Sequence, residues 1–258
     1  MMYKYSILLC FCFLVACKEA PKVEAPKMDK TEKALPSYVS AVMDAHGGLD
    51  RWNKMTSMSY VMEKSSGDEK QSIDLRDRRE LVQTDDYQLG YDGVTYWTTA
   101  DTSVKVNPVF YKNLIFYFYA MPFVAADDGI VYEEVAPLEF DGVSYPGFKI
   151  GFNAGVGVSP EDEYFIHYNP ETKQMEWLGY TVTYFSKEKS TKISWRRYDD
   201  WVTINELKLP KSMARMVSEE NLPIEEKSRV NFKSLKVSQN PFPEKYFAVP
   251  AGARLVSE

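Results

Sequence analysis

The sequence predicts a mainly β protein, built as a strongly curved antiparallel sheet or half-open β-barrel. Aromatic residues make up 14% of the chain, which includes 18 tyrosines, and aromatic residues favour strands. From Met55 onward, apolar and polar side chains alternate over many short segments, which is the period of a half-buried strand. Turn signals separate these segments, as expected for antiparallel strands joined by hairpins.

The first element in the chain is a segment typical of a secretory signal. Lys4 precedes an apolar run from Ile7 to Ala16, and Leu14-Val15-Ala16-Cys17 closes the run. A charged start, an apolar centre of about 7–15 residues and a small-residue exit define such a signal. A transmembrane helix needs about 20 apolar residues, and a plain secretory signal favours an Ala-x-Ala exit. Both alternatives fit this segment less well.

The Cys at the end of the run resembles a bacterial lipobox, the site of the lipoprotein signal peptidase. The resemblance implies that residues 1–16 are removed and that Cys17 carries lipid on its sulfur and on its new amino group. Two or more acyl chains anchor a protein stably, since each buried CH₂ contributes about 0.8 kcal/mol. We therefore expect a membrane-anchored protein of the cell envelope, in the periplasm or at the surface. Lys18 is not the inner-membrane retention Asp of some lipoproteins, which favours the outer membrane.

Residues 17–35 are predicted to be a lipidated tether. Glu19-Ala20-Pro21-Lys22 recurs as Glu24-Ala25-Pro26-Lys27, and a Pro-spaced, charged segment without aromatic residues cannot bury a core. Residues 36–258 are predicted to form a single β domain, which we expect to be a monomer.

Cysteine content and charge exclude several functions. Cys10 and Cys12 lie in the segment to be removed, so Cys17 is the single cysteine of the processed chain. Disulfides, Cys-based metal sites and a Cys nucleophile are then excluded. The processed chain carries 30 basic and 37 acidic residues, a net charge of −7, which disfavours binding to nucleic acid or anionic lipid.

A helix is predicted to open the domain. Ser37 is the expected N-cap, Val39, Val42 and Met43 recur at helical spacing, and Gly47-Gly48 is expected to end the helix. Strands follow, with hairpin signals at Asp92-Gly93 and Asp141-Gly142.

Residues 107–125 break the β pattern. This densely apolar segment, NPVFYKNLIFYFYAMPFVA, has helical spacing and predicts a buried helix of about 13 residues, which Asn107-Pro108 starts and Pro122 ends. A helix that is apolar nearly all round should be buried. We expect it to act as a plug or lid of the curved sheet. The last strands include residues 224–238, where Val230, Phe232, Leu235 and Val237 mostly alternate with polar residues.

Together these features resemble those of a known lipoprotein family. They are the lipobox, the first helix closed by His46-Gly47-Gly48, the hairpin with Tyr91-Asp92-Gly93 and Tyr96-Trp97, the apolar segment 107–125, and the final Phe247-Ala248-Val249-Pro250. This arrangement is similar to the Lol-type lipoprotein carriers and receptors, LolA- and LolB-like proteins, and to uncharacterised lipoproteins that share their fold. The resemblance implies a half-open barrel with helices across its mouth, a cavity that holds acyl chains in the carriers, and no invariant catalytic motif.

Candidate ligand-binding residues are the aromatic side chains expected along a cavity wall. Pockets are mostly apolar with few polar groups. The alternative for each of these residues is an ordinary place in the core. The candidates are Trp97, Phe116, Phe118, Trp177, Tyr180 and Trp195.

Catalytic, metal and cofactor sites are not predicted. The chain has two histidines and no Gly-x-Ser-x-Gly motif, which disfavours a Ser-His-Asp hydrolase. His46 is interpreted as a favourable charge at a helix C-terminus, and His167 as a surface residue of a strand. Glu161-Asp162-Glu163 with Asp127-Asp128 could bind Ca²⁺, but no EF-hand spacing is present, and an acidic turn is the alternative.

Three functions remain open at this point. The first is a non-enzymatic binding module for an acyl chain, a lipoprotein or another apolar ligand. The second is an envelope hydrolase that uses two carboxylates, whose separation is spatial and cannot be deduced from spacing. The third is a scaffold or interaction lipoprotein. Fold resemblance alone does not decide among them.

Overall fold

An open antiparallel sheet is the main element of the structure, a computed structural model that describes residues 35–152, 161–184 and 188–257. The strands of the described residues are β1 (Ser57–Glu63), β2 (Glu69–Asp74), β3 (Glu80–Gln83), β4 (Gln88–Tyr91), β5 (Tyr96–Thr98), β6 (Ile130–Phe140), β7 (Val143–Phe152), β8 (Tyr164–Tyr168), β9 (Met175–Tyr180), β10 (Ser194–Arg197), β11 (Trp201–Ile204), β12 (Leu207–Pro210), β13 (Ser212–Glu219), β14 (Leu222–Ser238) and β15 (Arg254–Val256). Five short helices accompany them: α1 (Ser37–Ala45), α2 (Leu49–Trp52), α3 (Pro108–Tyr111), α4 (Leu114–Tyr119) and α5 (Met121–Val124), with a 3₁₀ turn at Glu244–Phe247.

Thirteen of these strands form the curved main sheet. Their order is β15-β5-β4-β3-β2-β1-β14-β13-β10-β9-β8-β7-β6, and each neighbouring pair is antiparallel. The sheet does not close, and β11 and β12 form a separate hairpin. The predicted fold class, a mainly β protein with an open curved sheet, is confirmed.

The alternation of apolar and polar residues in the sequence agrees with the faces that these side chains occupy in the strands. In β1, Met58, Tyr60 and Met62 are buried in the main core, on one face of the strand. In β14 the predicted alternation changes phase between Phe232 and Leu235, and Ser234 between them has a positive φ of 54°. A bulge of this kind restores the apolar side chains to the inner face.

The first helix differs from the prediction at its start and agrees with it at its end. Pro36, not Ser37, occupies the N-cap position, and no side chain caps the helix. Gly47 and Gly48 follow the C-cap residue His46 with φ values of 107° and 81°. The Gly48 N–H donates to the Met43 carbonyl at 2.9 Å, which ends the helix with a bond of the Schellman type.

Gly47 has a second constraint besides its backbone angle. A Cβ atom at this position would collide with the carbonyl oxygen of Glu206, which precedes β12. Backbone oxygen cannot rotate away as a side chain can. The β11–β12 hairpin therefore approaches the end of α1 only because the residue there is glycine.

We expect Gly47→Ala to lower the free energy of unfolding by about 2 kcal/mol or more, because strain at positive φ and overpacking add. Urea unfolding measures this change. Gly142→Ala is the matched control: its φ is 77°, but no atom lies within 4 Å of the added Cβ, so we expect about 1 kcal/mol from strain alone. Equal losses in the two variants would contradict a close approach at Gly47.

The central apolar segment is not one helix, which corrects the prediction for residues 107–125. It forms α3, α4 and α5 in succession. Asn113, between α3 and α4, has a left-handed φ of 60°, a conformation that Asn tolerates. Pro122 lies in the first turn of α5 rather than ending a helix, a place where its missing N–H costs nothing. The predicted burial is confirmed, since Phe116, Met121 and most of their neighbours are buried.

The main core lies between the inner face of the sheet and the helices. Val39 and Val42 of α1 pack with Phe116 of α4 and Phe123 of α5 and with residues of the sheet. On β9, Leu178 and Tyr180 belong to this core. The opposite face of the sheet carries a second apolar cluster: Leu138, Tyr145, Trp177, Trp195, Ala214 and Met216.

Candidate functional site

A cavity of about 490 Å³ lies between the central helices and strands β7 to β9. This volume is within the usual range of small-molecule pockets, about 300–1,000 Å³. Its apolar and aromatic lining consists of Val109, Phe110, Leu114, Tyr117, Phe118, Val124, Phe152, Tyr164, Tyr180, Val182 and Tyr184. Its polar lining consists of Lys112, Asn113, Asp127, Asp128, Asp162 and Thr181.

Aromatic pairs form much of the wall. Phe118 of α4 contacts Tyr180 of β9 with ring centroids 4.8 Å apart, and Phe152 meets Tyr164 edge to face at 6.0 Å. Such pairs contribute about 0.5–1.5 kcal/mol beyond the area that they bury. The wall is therefore a packed surface that helix and sheet supply together.

Two asparagines set the position of the helices above the cavity. The side chain of Asn107 caps α3 by accepting the N–H of Val109 at 2.9 Å. The N–H of Asn113 donates to Oε2 of Glu80 at 2.9 Å. Glu80 is buried in β3, and burial raises its pKa to about 7. The break between α3 and α4 is thus attached to the sheet through one buried carboxyl group.

Three acidic side chains, Asp127, Asp128 and Asp162, belong to the lining of the cavity. Asp127 forms an ion pair with Arg78. Nη2 of Arg78 donates to the two carboxylate oxygens of Asp127 at 2.8 and 2.9 Å. Oδ1 of Asp162 accepts the N–H and the hydroxyl of Thr183 at 2.7 and 2.8 Å. Burial raises the pKa of both carboxyl groups, while Arg78 opposes the rise at Asp127 and Thr183 opposes it at Asp162.

The structure brings together the two acidic segments that the sequence analysis considered for Ca²⁺. Asp127, Asp128 and Asp162 all line the cavity. Among the described residues, however, no group of three or more His, Cys, Asp or Glu side chains is arranged to hold a metal ion. Glu163 instead pairs with Lys149 at 3.1 Å.

Two of the six predicted aromatic residues are in the cavity wall. Phe118 and Tyr180 line it, whereas Phe116 is fully buried in the main core. The three tryptophans lie elsewhere. Trp97 packs with Leu81 and Phe247, and Trp177 and Trp195 belong to the cluster on the other face of the sheet.

The reason for these different placements is the face that each strand residue occupies. Side chains alternate between the faces of a strand, so Trp177 points away from the cavity that Tyr180 lines. An alternation between Trp177, Leu178 and Tyr180 was visible in the sequence, but which face borders the helices was not. Tyr117, Tyr164 and Phe152 also line the cavity and were not predicted. Helical spacing from Phe110 could not have indicated Tyr117, because the helix is interrupted at Asn113 between them.

Both histidines differ from their predicted roles. His46 is fully buried, not a charged cap, and burial lowers its pKa to about 4. Its Nε2 accepts the N–H of Met175 at 3.0 Å, so Nδ1 holds the proton and donates to the carbonyl of Lys208 at 3.1 Å. His167 is also buried rather than on the surface, and burial lowers its pKa.

Cys17 lies outside the described residues, and its lipidation remains a prediction. Within the described ranges, no helix is long and apolar enough to cross a membrane.

Comparison with solved structures finds similar folds at very low identity. A DUF1329 family protein from Desulfovibrio piger has a TM-score of 0.46 and 11% identity over 82% of this chain and 98% of its own. A LolA superfamily protein from Nitrosomonas europaea has a TM-score of 0.47 and 7% identity over 82% and 97%. A putative outer membrane lipoprotein-sorting protein domain from Vibrio parahaemolyticus has a TM-score of 0.41 and 7% identity over 81% and 97%.

These likenesses concern the fold alone. The fold family that the sequence resembles is among the matches. No protein-family profile and no curated protein sequence matches the chain.

Proposed function

We propose that this protein is a lipid-anchored, non-enzymatic binding module of the bacterial cell envelope that holds an apolar ligand, such as an acyl chain. The observation that carries the proposal is the cavity of about 490 Å³ with its aromatic wall. A cavity lined by apolar side chains with few polar groups is typical of a small-molecule site. Each CH₂ group that enters such a wall contributes about 0.8 kcal/mol.

The N-terminal sequence supports the location. Cleavage before Cys17 and its acylation would attach the protein to a membrane, with residues 17–35 as the tether. We propose the outer membrane, because Lys18 follows the acylated cysteine. In this arrangement a monomeric domain handles its ligand near the bilayer that supplies it.

Photo-crosslinking tests the binding function. The full chain is placed in phosphatidylcholine nanodiscs and exposed to a neutral alkanol that carries a benzophenone on its chain. We expect crosslinks in the parts of the chain that line the cavity, residues 107–128, Phe152 and residues 161–184. Peptide mass spectrometry locates them, and crosslinks spread evenly over the surface would refute the proposal.

We expect Val182→Trp to reduce this cavity crosslinking. Val182 lines the cavity and is 42% exposed, so a larger ring there occupies the space without entering the core. Exclusion of only two methylene groups lowers affinity roughly tenfold, at about 0.8 kcal/mol each. Val131→Trp is the matched control, since Val131 is 48% exposed on β6 and does not line the cavity. Equal crosslinking in both variants would count against this cavity as the site.

A further inference from the structure

The polar residues of the cavity lining offer hydrogen-bond acceptors. Asp127, Asp128 and Asp162 line it, and among the described residues only Asp127 of these three forms an ion pair. Both bonds that Asp162 accepts from Thr183 use the same oxygen, Oδ1. A ligand that reaches these side chains therefore meets carboxylate oxygens.

Asn113 adds a second, independent observation. It lines the same cavity and is 5% exposed. Its side-chain oxygen is buried and accepts no hydrogen bond within the described protein. A buried acceptor without a donor is unfavourable, and a donor that enters the cavity can remove part of this cost.

The cations near the cavity are engaged by other groups. The Arg196 guanidinium lies 5.4 Å from the centre of the Phe118 ring and 5.9 Å from the centre of the Tyr180 ring. Arg78 is paired with Asp127 and lies over the Phe116 ring at 4.7 Å. The Lys112 ammonium lies 4.1 Å from the centre of the Tyr91 ring, and its charge acts on Glu80. The lining thus contains three carboxyl groups and one ammonium group, and Arg78 balances one of the three.

The geometry points to a ligand class for the proposed function, on which this inference rests: a single-chain amphiphile whose polar end donates hydrogen bonds. The alkyl chain lies along the aromatic wall, and the polar end faces Asn113, Asp128 and Asp162. A cationic amine is favoured most, because it makes charge-assisted hydrogen bonds to carboxylates. A hydroxyl comes next, since it donates without charge. A carboxylate or phosphate is disfavoured, because like charges repel in a partly buried site.

Competition between amphiphiles of equal chain length tests this order. The full chain in phosphatidylcholine nanodiscs is crosslinked with the neutral benzophenone alkanol near neutral pH. Dodecylamine, dodecanol or dodecanoate is titrated in, and the bilayer concentration of each is measured. We expect dodecylamine to suppress cavity crosslinking at a concentration about tenfold lower than dodecanoate does. One charge-assisted hydrogen bond near the weak end of its range changes affinity by about this factor. Dodecanol should lie between them.

The outcomes separate this inference from the proposed function. If the alkanol probe labels the cavity and all three amphiphiles compete equally, or dodecanoate competes best, the head-group inference is overturned while the binding function stands. If the alkanol probe fails to label the cavity at all, the proposed function itself fails. A preference for dodecanol over dodecylamine would overturn the role of positive charge in the head group. The preference for a head group that donates hydrogen bonds would still stand.

A pair of Asp-to-Asn variants checks the source of the preference. Asp162→Asn keeps an oxygen for Thr183 and removes the negative charge. We expect it to reduce the advantage of dodecylamine over dodecanol at least threefold, a modest part of one charge-assisted hydrogen bond. Asp141→Asn makes the same change at the exposed β6–β7 turn, where Asn tolerates the φ of 49°. An unchanged ratio in Asp162→Asn, or an equal change in Asp141→Asn, would overturn the assignment to Asp162.

Discussion

Replacement of His46 by phenylalanine is expected to lower the free energy of unfolding at neutral pH by about 3 kcal/mol, since it leaves two buried backbone groups without partners. The imidazole accepts the N–H of Met175 and donates to the carbonyl of Lys208. It thereby connects the end of α1 to the main sheet and to the β11–β12 hairpin. Phenylalanine keeps a ring against Trp201, whose centroid lies 4.5 Å from that of His46.

The same residue predicts a loss of stability in acid. Burial lowers the pKa of His46 from 6.5 to about 4. A proton on Nε2 would also face the Met175 N–H and break that bond. Between these two values the unfolded chain binds a proton that the folded chain does not. The stability that His46 contributes is therefore complete above about pH 6.5 and is lost as the pH falls toward 4, by about 3 kcal/mol in total.

Urea unfolding of the wild type and His46→Phe across this pH range checks both effects. The two curves of unfolding free energy should converge as the pH falls, since the variant has no proton to take up at this position. His167→Phe is the control for removal of a buried imidazole. His167 makes one backbone hydrogen bond, to the Tyr145 carbonyl at 3.1 Å, so its loss should cost less. Parallel curves for wild type and His46→Phe would show that His46 does not cause the acid effect.

The histidines also show how far sequence reasoning reaches in this chain. Alternation in β1 and the Asp141-Gly142 turn are local signals, and both gave the observed structure: Phe140 pairs with Val143 across a two-residue turn. The partner of His46 is Met175, which is 129 residues away. No local pattern indicates such a pair, so a helix-end histidine was interpreted by its nearest feature, the helix.

The cavity was predictable only in part, because local patterns indicate some of its residues and long-range strand pairing positions the others. The apolar composition of residues 107–125 indicated burial against the sheet, and Phe118 followed from it. The faces of the strands depended on register, and β8 and β9 pair with a shift between His167 and Tyr168. A shift of one residue moves side chains to the other face. The spacing of Trp177 and Tyr180 places them on opposite faces of one strand, but it does not indicate which face borders the helices.

Replacement of Glu80 by glutamine is expected to stabilise the protein above neutral pH, whereas His46→Phe destabilises it. Glu80 is 3% exposed. Its Oε2 accepts the Asn113 N–H, and its Oε1 has no partner among the described residues. Burial, with a smaller contribution from Glu69, raises its pKa from 4.5 to about 7, although Asn113 and Lys112 oppose the rise.

The direction of the pH effect follows from proton binding. Between pH 4.5 and about 7 the folded chain holds a proton on Glu80 that the unfolded chain has released. The stability that Glu80 contributes therefore falls as the pH rises through this window, by up to about 3 kcal/mol. Glutamine keeps an acceptor for Asn113 and carries no charge. We expect Glu80→Gln to be about 2 kcal/mol more stable than wild type at pH 8 and equal to it near pH 4.

Urea unfolding at the two pH values measures the difference, and Glu171→Gln supplies the control. Glu171 lies exposed in the turn between β8 and β9, where the same change should alter stability by less than about 0.5 kcal/mol. A gain of equal size at both pH values would assign the effect to packing rather than to charge. Because His46 lowers stability in acid and Glu80 lowers it in base, a double variant His46→Phe/Glu80→Gln should lose both slopes.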